Sequence, residues 1–179
     1  MIAGHGNLEK VKAMLAAHPD LLNAAYEWKA DDHETAIQAA AHVGNAAVAE
    51  HLLSHGAPLD ICTAATLGRR NDVERLLGAD PAAVHAIGAH GIPLLAHAAL
   101  SGDVALLEGL VDRGAQEGVS YALHNAVIMG HEHAARWLLE DARPDLTWTN
   151  FQGKTALAVA LERGFEPLAR LLREHGATA

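Results

Sequence analysis

Six glycines recur in one sequence context: Gly6, Gly44, Gly68, Gly102, Gly130 and Gly164. Each precedes an amphipathic segment that closes in a paired apolar step. The steps are Met14-Leu15, Leu52-Leu53, Leu76-Leu77, Leu110-Val111, Leu138-Leu139 and Leu171-Leu172. A step begins eight residues after each of the first five glycines and seven after the last. Five of the glycines also follow a small apolar segment, over residues 35–43, 60–67, 93–101, 121–129 and 155–163. This reads as helix, glycine turn, helix, repeated. It restricts the fold more than any other property of the chain, because a lone helix pair cannot bury its apolar face and needs a neighbouring copy to cover it. The helical period agrees. In the last unit Leu168, Leu171 and Leu172 recur at i, i+3 and i+4, with Arg170, Arg173 and Glu174 on the other face. Leu106, Leu107, Leu110 and Val111 repeat the pattern in the fourth unit.

Composition fits such a stack. Alanine supplies 38 of the 179 residues, while Phe, Trp and Tyr together supply seven. The alanines concentrate where neighbouring first helices must touch: Ala39, Ala40, Ala41, Ala64, Ala65, Ala98, Ala99, Ala126 and Ala160. Several second helices end in Gly-Ala, at Gly56-Ala57, Gly114-Ala115 and Gly176-Ala177, where glycine accepts the left-handed cap. Spacings between the turn glycines are 38, 24, 34, 28 and 34 residues, so long and short intervals alternate. Two consecutive intervals total 62 residues twice over, which reads as a two-unit module. The long intervals hold connectors at residues 21–34, 82–92 and 143–154. The short ones pass almost directly from Gly-Ala into the next first helix, through Pro58-Leu59-Asp60 and Gln116-Glu117-Gly118.

These residues resemble ankyrin repeats over nearly the whole chain. The family opens its repeat of about 33 residues with Thr-Pro-Leu-His-x-Ala-Ala and closes it with Leu-Leu-x-x-Gly-Ala. Matching openings are Thr35-Ala36-Ile37-Gln38-Ala39-Ala40-Ala41, Thr155-Ala156-Leu157-Ala158-Val159-Ala160, and Tyr121-Ala122-Leu123-His124-Asn125-Ala126, which keeps the histidine. The clearest ending is Leu52-Leu53-Ser54-His55-Gly56-Ala57. No opening is complete, and His90-Gly91-Ile92-Pro93 sets its proline one place late. Ala79-Asp80-Pro81 and His18-Pro19-Asp20 look most like short bacterial members. The resemblance implies an all-α, ankyrin-type helix-turn-helix solenoid of about six units with alternating long and truncated connectors. It forms a single domain over residues 1–179, its first unit incomplete because only Met1-Ile2-Ala3 stands before Gly4-His5-Gly6.

The resemblance also implies a protein-interaction module that is not an enzyme and needs no cofactor. The expected surface is the concave face with the connector tips. Four of the seven aromatics, Tyr26, Trp28, Trp148 and Phe151, fall in long connectors, where exposed aromatics make efficient interface anchors. Glu27, Asp31, Asp32 and Glu34 form an acidic group beside Lys29 and His33, suited to a basic partner. Arg69 and Arg70 follow a glycine turn and suit a forked grip on a partner carboxylate. The expected contact set is Tyr26, Glu27, Trp28, Asp31, Asp32, Arg69, Arg70, His90, Tyr121, Trp148, Asn150 and Phe151; Trp137, beside Leu138, is expected in the core. A net charge of −9 argues against nucleic acid and anionic membranes as partners. The most apolar stretch, residues 87–111, is broken by His90, His97, Asp103 and Glu108, too interrupted to span a bilayer. A single cysteine, Cys62, excludes an internal disulfide and suits the cytoplasm.

Two rival readings come from other classes. An open flank on the first helix, with Val11 and Met14, suits self-association, giving a monomer or weak homodimer. A hydrolase would use Asp31, Asp32 and His33 with a metal. Histidine is the compositional oddity, with 13 against four lysines. His51 and His55 share one helix face, but zinc wants three or four converging ligands and no cysteine pair helps, so no metal site is expected. Protonating every histidine moves the charge from −9 to +4 at most, which suggests pH-dependent partner binding.

Overall fold

The computed structural model describes residues 6–178 and builds the expected stack. The residues before Gly6, which bear on the incomplete first unit, lie outside the described residues. The elements, in order, are helix α1 (Leu8–Ala17), strands β1 (Ala25–Lys29) and β2 (Asp32–Thr35), and helices α2 (Ala36–His42) and α3 (Ala46–Ser54). Then come α4 (Ile61–Thr66), α5 (Arg70–Ala79), α6 (Leu94–Ser101) and α7 (Val104–Asp112). The chain closes with α8 (Val119–Met129), α9 (Glu132–Trp137, continued by a π-helical turn over Leu138–Ala142), α10 (Ala156–Glu162) and α11 (Glu166–Glu174). α1 stands for the first unit. The helix pairs α2/α3, α4/α5, α6/α7, α8/α9 and α10/α11 are the other five.

Capping side chains start six of the eleven helices. Asn7, Asn45, Asp60, Asp103 and Thr155 cap α1, α3, α4, α7 and α10, each accepting a backbone N–H from three residues ahead. At α2, Gln38 reaches back and its Oε1 accepts the Thr35 N–H at 2.9 Å. Between the helices of a pair the backbone turns through a left-handed glycine. At Gly102 (φ 73°, ψ 6°) an added Cβ would also stand 2.7 Å from the His131 ring, so neighbouring turns are closely stacked.

The three long connectors are versions of one finger. The first is a full hairpin, with Ala25 opposite Thr35, Tyr26 opposite Glu34 and Glu27 opposite His33, and a bulge at Trp28. The other two are reduced to single bridges, Ile87 with Pro93 and Thr149 with Thr155. Each bridge closes at the residue that starts the next first helix. The short connectors have no such pairing among the described residues.

Alanine packing is as the sequence implies: all nine alanines singled out above are buried. The apolar core divides in two. Val11, Ile37, Ala40, Val48, Ala49, Leu52 and Ala57 hold the first two units, and a larger cluster runs from Ile61 to Ala177. The seam between them is polar. Thr66 Oγ1 donates to the Ala41 carbonyl at 3.2 Å and lies 3.1 Å from His97 Nδ1, while Gln38 Nε2 lies 3.4 Å from Asp60 Oδ2. Val11 sits inside this chain's own core, and α1 exposes Glu9, Lys10 and Lys12. The stack curves enough for Gly44 of the second unit to meet Met129 of the fifth: a Cβ on Gly44 would stand 3.2 Å from Met129 Cε. Among the described residues no helix is long and apolar enough to cross a membrane.

Candidate functional site

The expected contact residues divide into three groups. The first gathers on the hairpin. Tyr26 and Trp28 meet edge-on with ring centroids 5.0 Å apart, and both stay about half exposed. Trp28 also turns back on its own finger, where Nε1–H donates to Glu34 Oε2 at 2.8 Å. Glu27 is exposed, and Asp31 occupies the hairpin turn with φ 67°. Asp32 and His90, 58 residues apart, bind each other. The Asp32 carboxylate accepts the His90 backbone N–H at 3.0 Å and faces His90 Nδ1 at 3.0 Å. This meeting follows from the connector lengths, because the third unit has no finger to separate its neighbours' fingers. The hydrogen bond from His90 holds the Asp32 carboxyl below the usual carboxylate range. A groove of about 460 Å³ lies alongside, between Asp31 and Asp32 on one wall and Ile87, Gly88 and His90 on the other.

Sequence reasoning missed what lies beneath. Glu34, at the end of β2, is wholly buried. Its Oε1 lies 2.6 Å from His42 Nδ1 and 3.4 Å from His90 Nε2. Burial pushes the Glu34 carboxyl up, but hydrogen bonds from His42 and Trp28 outweigh it and hold it low. Among the described residues, Glu34, His42 and His90 form the one group whose ligand atoms converge as a metal requires. Asp31, Asp32 and His33 do not converge: Asp32 turns to His90, while Asp31 and His33 stay exposed. His51 and His55 stack with centroids 4.3 Å apart but gather no third ligand.

The second group lies at the other end. Trp148 packs on Tyr121 (centroids 5.2 Å) and on His124 (5.4 Å). Asn150 Nδ2 lies 3.0 Å from His124 Nε2, and Asn150 Oδ1 accepts the Gln152 N–H at 2.9 Å and the Lys154 N–H at 3.1 Å. His124 is therefore the histidine that ties one repeat to the next connector, and burial pushes its pKa down to about 4. His97 is likewise pushed down to about 4 by burial, so the full histidine charge swing is not reached between pH 7.5 and 5.5. Phe151 is the opposite case: it crowns the last finger, 94% exposed.

The third group is the arginine pair. Both forks exist, but on this chain's own carboxylates. Arg69 holds Glu50 of the preceding unit and Arg70 holds Asp103 of the following one, each by two nitrogens. Cys62 is buried, and burial pushes its thiol up to about 12, which leaves no reactive thiolate at neutral pH. Trp137 is partly buried against the core.

Comparisons with known proteins agree with this architecture. A model for three consecutive ankyrin repeats matches residues 95–179, and a single ankyrin repeat model matches residues 32–64. No curated protein sequence matches the chain. A solved ankyrin repeat domain from Acinetobacter baumannii AYE is 21% identical, with a TM-score of 0.56. The alignment covers 99% of this chain and 97% of that one, a likeness of fold. The repeat register, the fingers, the stacked helix pairs and both family matches lead to one conclusion: this chain belongs to the ankyrin repeat family.

Proposed function

We propose that the chain is a protein-binding module that meets its partner with the tips of its three long connectors and the first helices behind them. Ankyrin repeats are in general protein-interaction modules and are generally not enzymes. One observation carries the finer reading. Six large apolar side chains are exposed among the described residues, and four of them belong to fingers: Tyr26 and Trp28 on the first, Ile87 on the second, Phe151 on the third. A finger tip that served only its own fold would turn these residues inward, as Trp148 does. Phe151 and Ile87, at 94% and 67% exposure, have no such role.

Four anchors on a preformed edge cost little side-chain entropy on docking and suit an interface burying on the order of 1,600 Å² in total. Glu27 and Asp31 flank the first anchors and favour a basic rim on the partner. Arg69, Arg70, Tyr121 and Asn150 hold the scaffold beneath this edge. The free, buried Cys62 is in keeping with a reducing compartment such as the cytoplasm.

The experiment is quantitative affinity capture from native lysate with wild type, Phe151→Ser, Ile87→Ser and the exposed-helix control Lys12→Ser. A partner recovered by wild type and by the control, and reduced at least about tenfold by either finger variant, supports the reading. Equal recovery by wild type and all three variants refutes it.

A further inference from the structure

The polar seam between the two apolar clusters carries side chains that partner docking does not use. Glu34 comes from the hairpin, His42 from the end of α2, and His90 from the short helical turn Ala89–Gly91 of the second finger. One ligand atom from each lies within 4.8 Å of the others. A tetrahedral site with bonds of about 2.0–2.1 Å sets its ligand atoms roughly 3.3 Å apart. Glu34 Oε1 and His90 Nε2, at 3.4 Å, already stand at that separation. Glu34 Oε1 and His42 Nδ1, at 2.6 Å, reach it by opening less than about 1 Å.

The atoms behind these ligands are arranged as a metal site needs them. Asp32 Oδ2 faces His90 Nδ1 at 3.0 Å, which fixes the tautomer that presents Nε2 to a cation. Trp28 Nε1–H binds Glu34 Oε2 and so turns Oε1 toward the two imidazoles. His90 is held in a left-handed backbone conformation, φ 60° and ψ 19°, uncommon for any residue but glycine. The Asp32 carboxylate secures that conformation through the His90 N–H at 3.0 Å.

We propose that Glu34, His42 and His90 bind one divalent transition-metal ion of the zinc type, with Asp32 and Trp28 as positioning residues. Two imidazoles and one carboxylate are donors that zinc takes readily. Magnesium and calcium want oxygen-rich shells and are not accommodated by this set. Of the three ligands His90 has the most exposed side chain, so a water completing the shell would enter from its side. Glu34 and His42 belong to the second unit and His90 to the fourth, so the ion clamps two fingers across the seam and fixes the mouth of the groove beside it.

The test is titration of the untagged, full-length chain with zinc chloride by calorimetry, with magnesium chloride as control. Cobalt(II) provides an optical probe through the intense visible absorption of a tetrahedral site. The expected result is one zinc per chain, no magnesium binding, and a tetrahedral cobalt spectrum. His90→Gly removes a ligand at a backbone position where glycine is at ease, so the variant folds, and its zinc binding is lost. Asp32→Asn retains binding but weakens it about 10–100-fold. His51→Ala, in the exposed histidine pair, leaves stoichiometry and affinity unchanged. Absence of zinc binding by the wild-type chain overturns the proposal. So does undiminished binding by His90→Gly, or loss of binding in His51→Ala.

Discussion

Replacing Gly102 by alanine tests how tightly the repeats are stacked. The residue turns the chain between α6 and α7 at φ 73°, and an L side chain there costs roughly 1–2 kcal/mol. Its new Cβ would stand 2.7 Å from both Cγ and Nδ1 of His131, closer than real Cβ contacts allow. His131 cannot simply swing away, because its Nε2 is 3.0 Å from the Leu100 carbonyl on the partly buried side of the turn. Moving the ring forfeits that hydrogen bond, about 1 kcal/mol. Gly102→Ala should therefore lose about 2–3 kcal/mol in total. Gly164 provides the internal reference. It has nearly the same backbone, φ 69°, but no atom within 4 Å of its added Cβ, so Gly164→Ala loses the backbone share alone. Urea denaturation followed by far-ultraviolet circular dichroism measures both. In a chain of this length each kcal/mol also lowers Tm by roughly 2–4 °C. Combining Gly102→Ala with His131→Ala should cost about 1 kcal/mol less than the two singles added together. Equal losses for the two alanine variants, or strict additivity in the double variant, would refute the claim that His131 seals this turn.

Two further expectations come from titration and capping. His124 has a native pKa of about 4, against about 6.5 when unfolded, so the unfolded chain takes up its proton first as pH falls. Its contribution is intact above pH 6.5 and drains away toward pH 4, by up to about 3 kcal/mol. Denaturation midpoints at pH 7 and pH 5 check this, and a His124→Gln slope as steep as the wild type's would count against it. Asp103 both caps α7, accepting the Leu106 N–H at 3.1 Å, and receives the Arg70 fork. Asp103→Ala should lose about 1 kcal/mol or more from the cap alone. Arg70→Ala, which removes only the exposed half of the pair, should shift the midpoint less, and less still in high salt.

The stack was legible because its signals are local. A glycine turn, a capping side chain and a leucine pair each act within about ten residues, and a repeated register turns those local signals into a fold. The same register located the fingers and showed which units lack one. What the residues could not show was the consequence of a missing finger, namely that Asp32 and His90 meet across the third unit. Glu34 reads as one acid among four in a charged loop, and nothing in its neighbourhood marks it as the buried one. His42 reads as an ordinary last-turn histidine. Their convergence with His90 depends on how far the stack curves, which no spacing records. The arginine pair failed in another way. Both residues do grip carboxylates by a fork, but the carboxylates belong to the flanking units, 19 and 33 residues away along the chain. Residue type gave the chemistry there, and only geometry gave the partner.

In a linear array where each repeat touches only its neighbours, unfolding frays inward from the ends and terminal repeats can open alone. The contacts of the second unit break that rule. Its hairpin is fastened to the fourth unit through Asp32 and His90, and its turn at Gly44 meets Met129 of the fifth. Fraying beyond α1 must therefore release contacts deep in the array before it gains further chain entropy. The second to fifth units should consequently open in one cooperative step, with the amides of α2, α4 and α6 exchanging at a common rate and α10 and α11 left as the separable end.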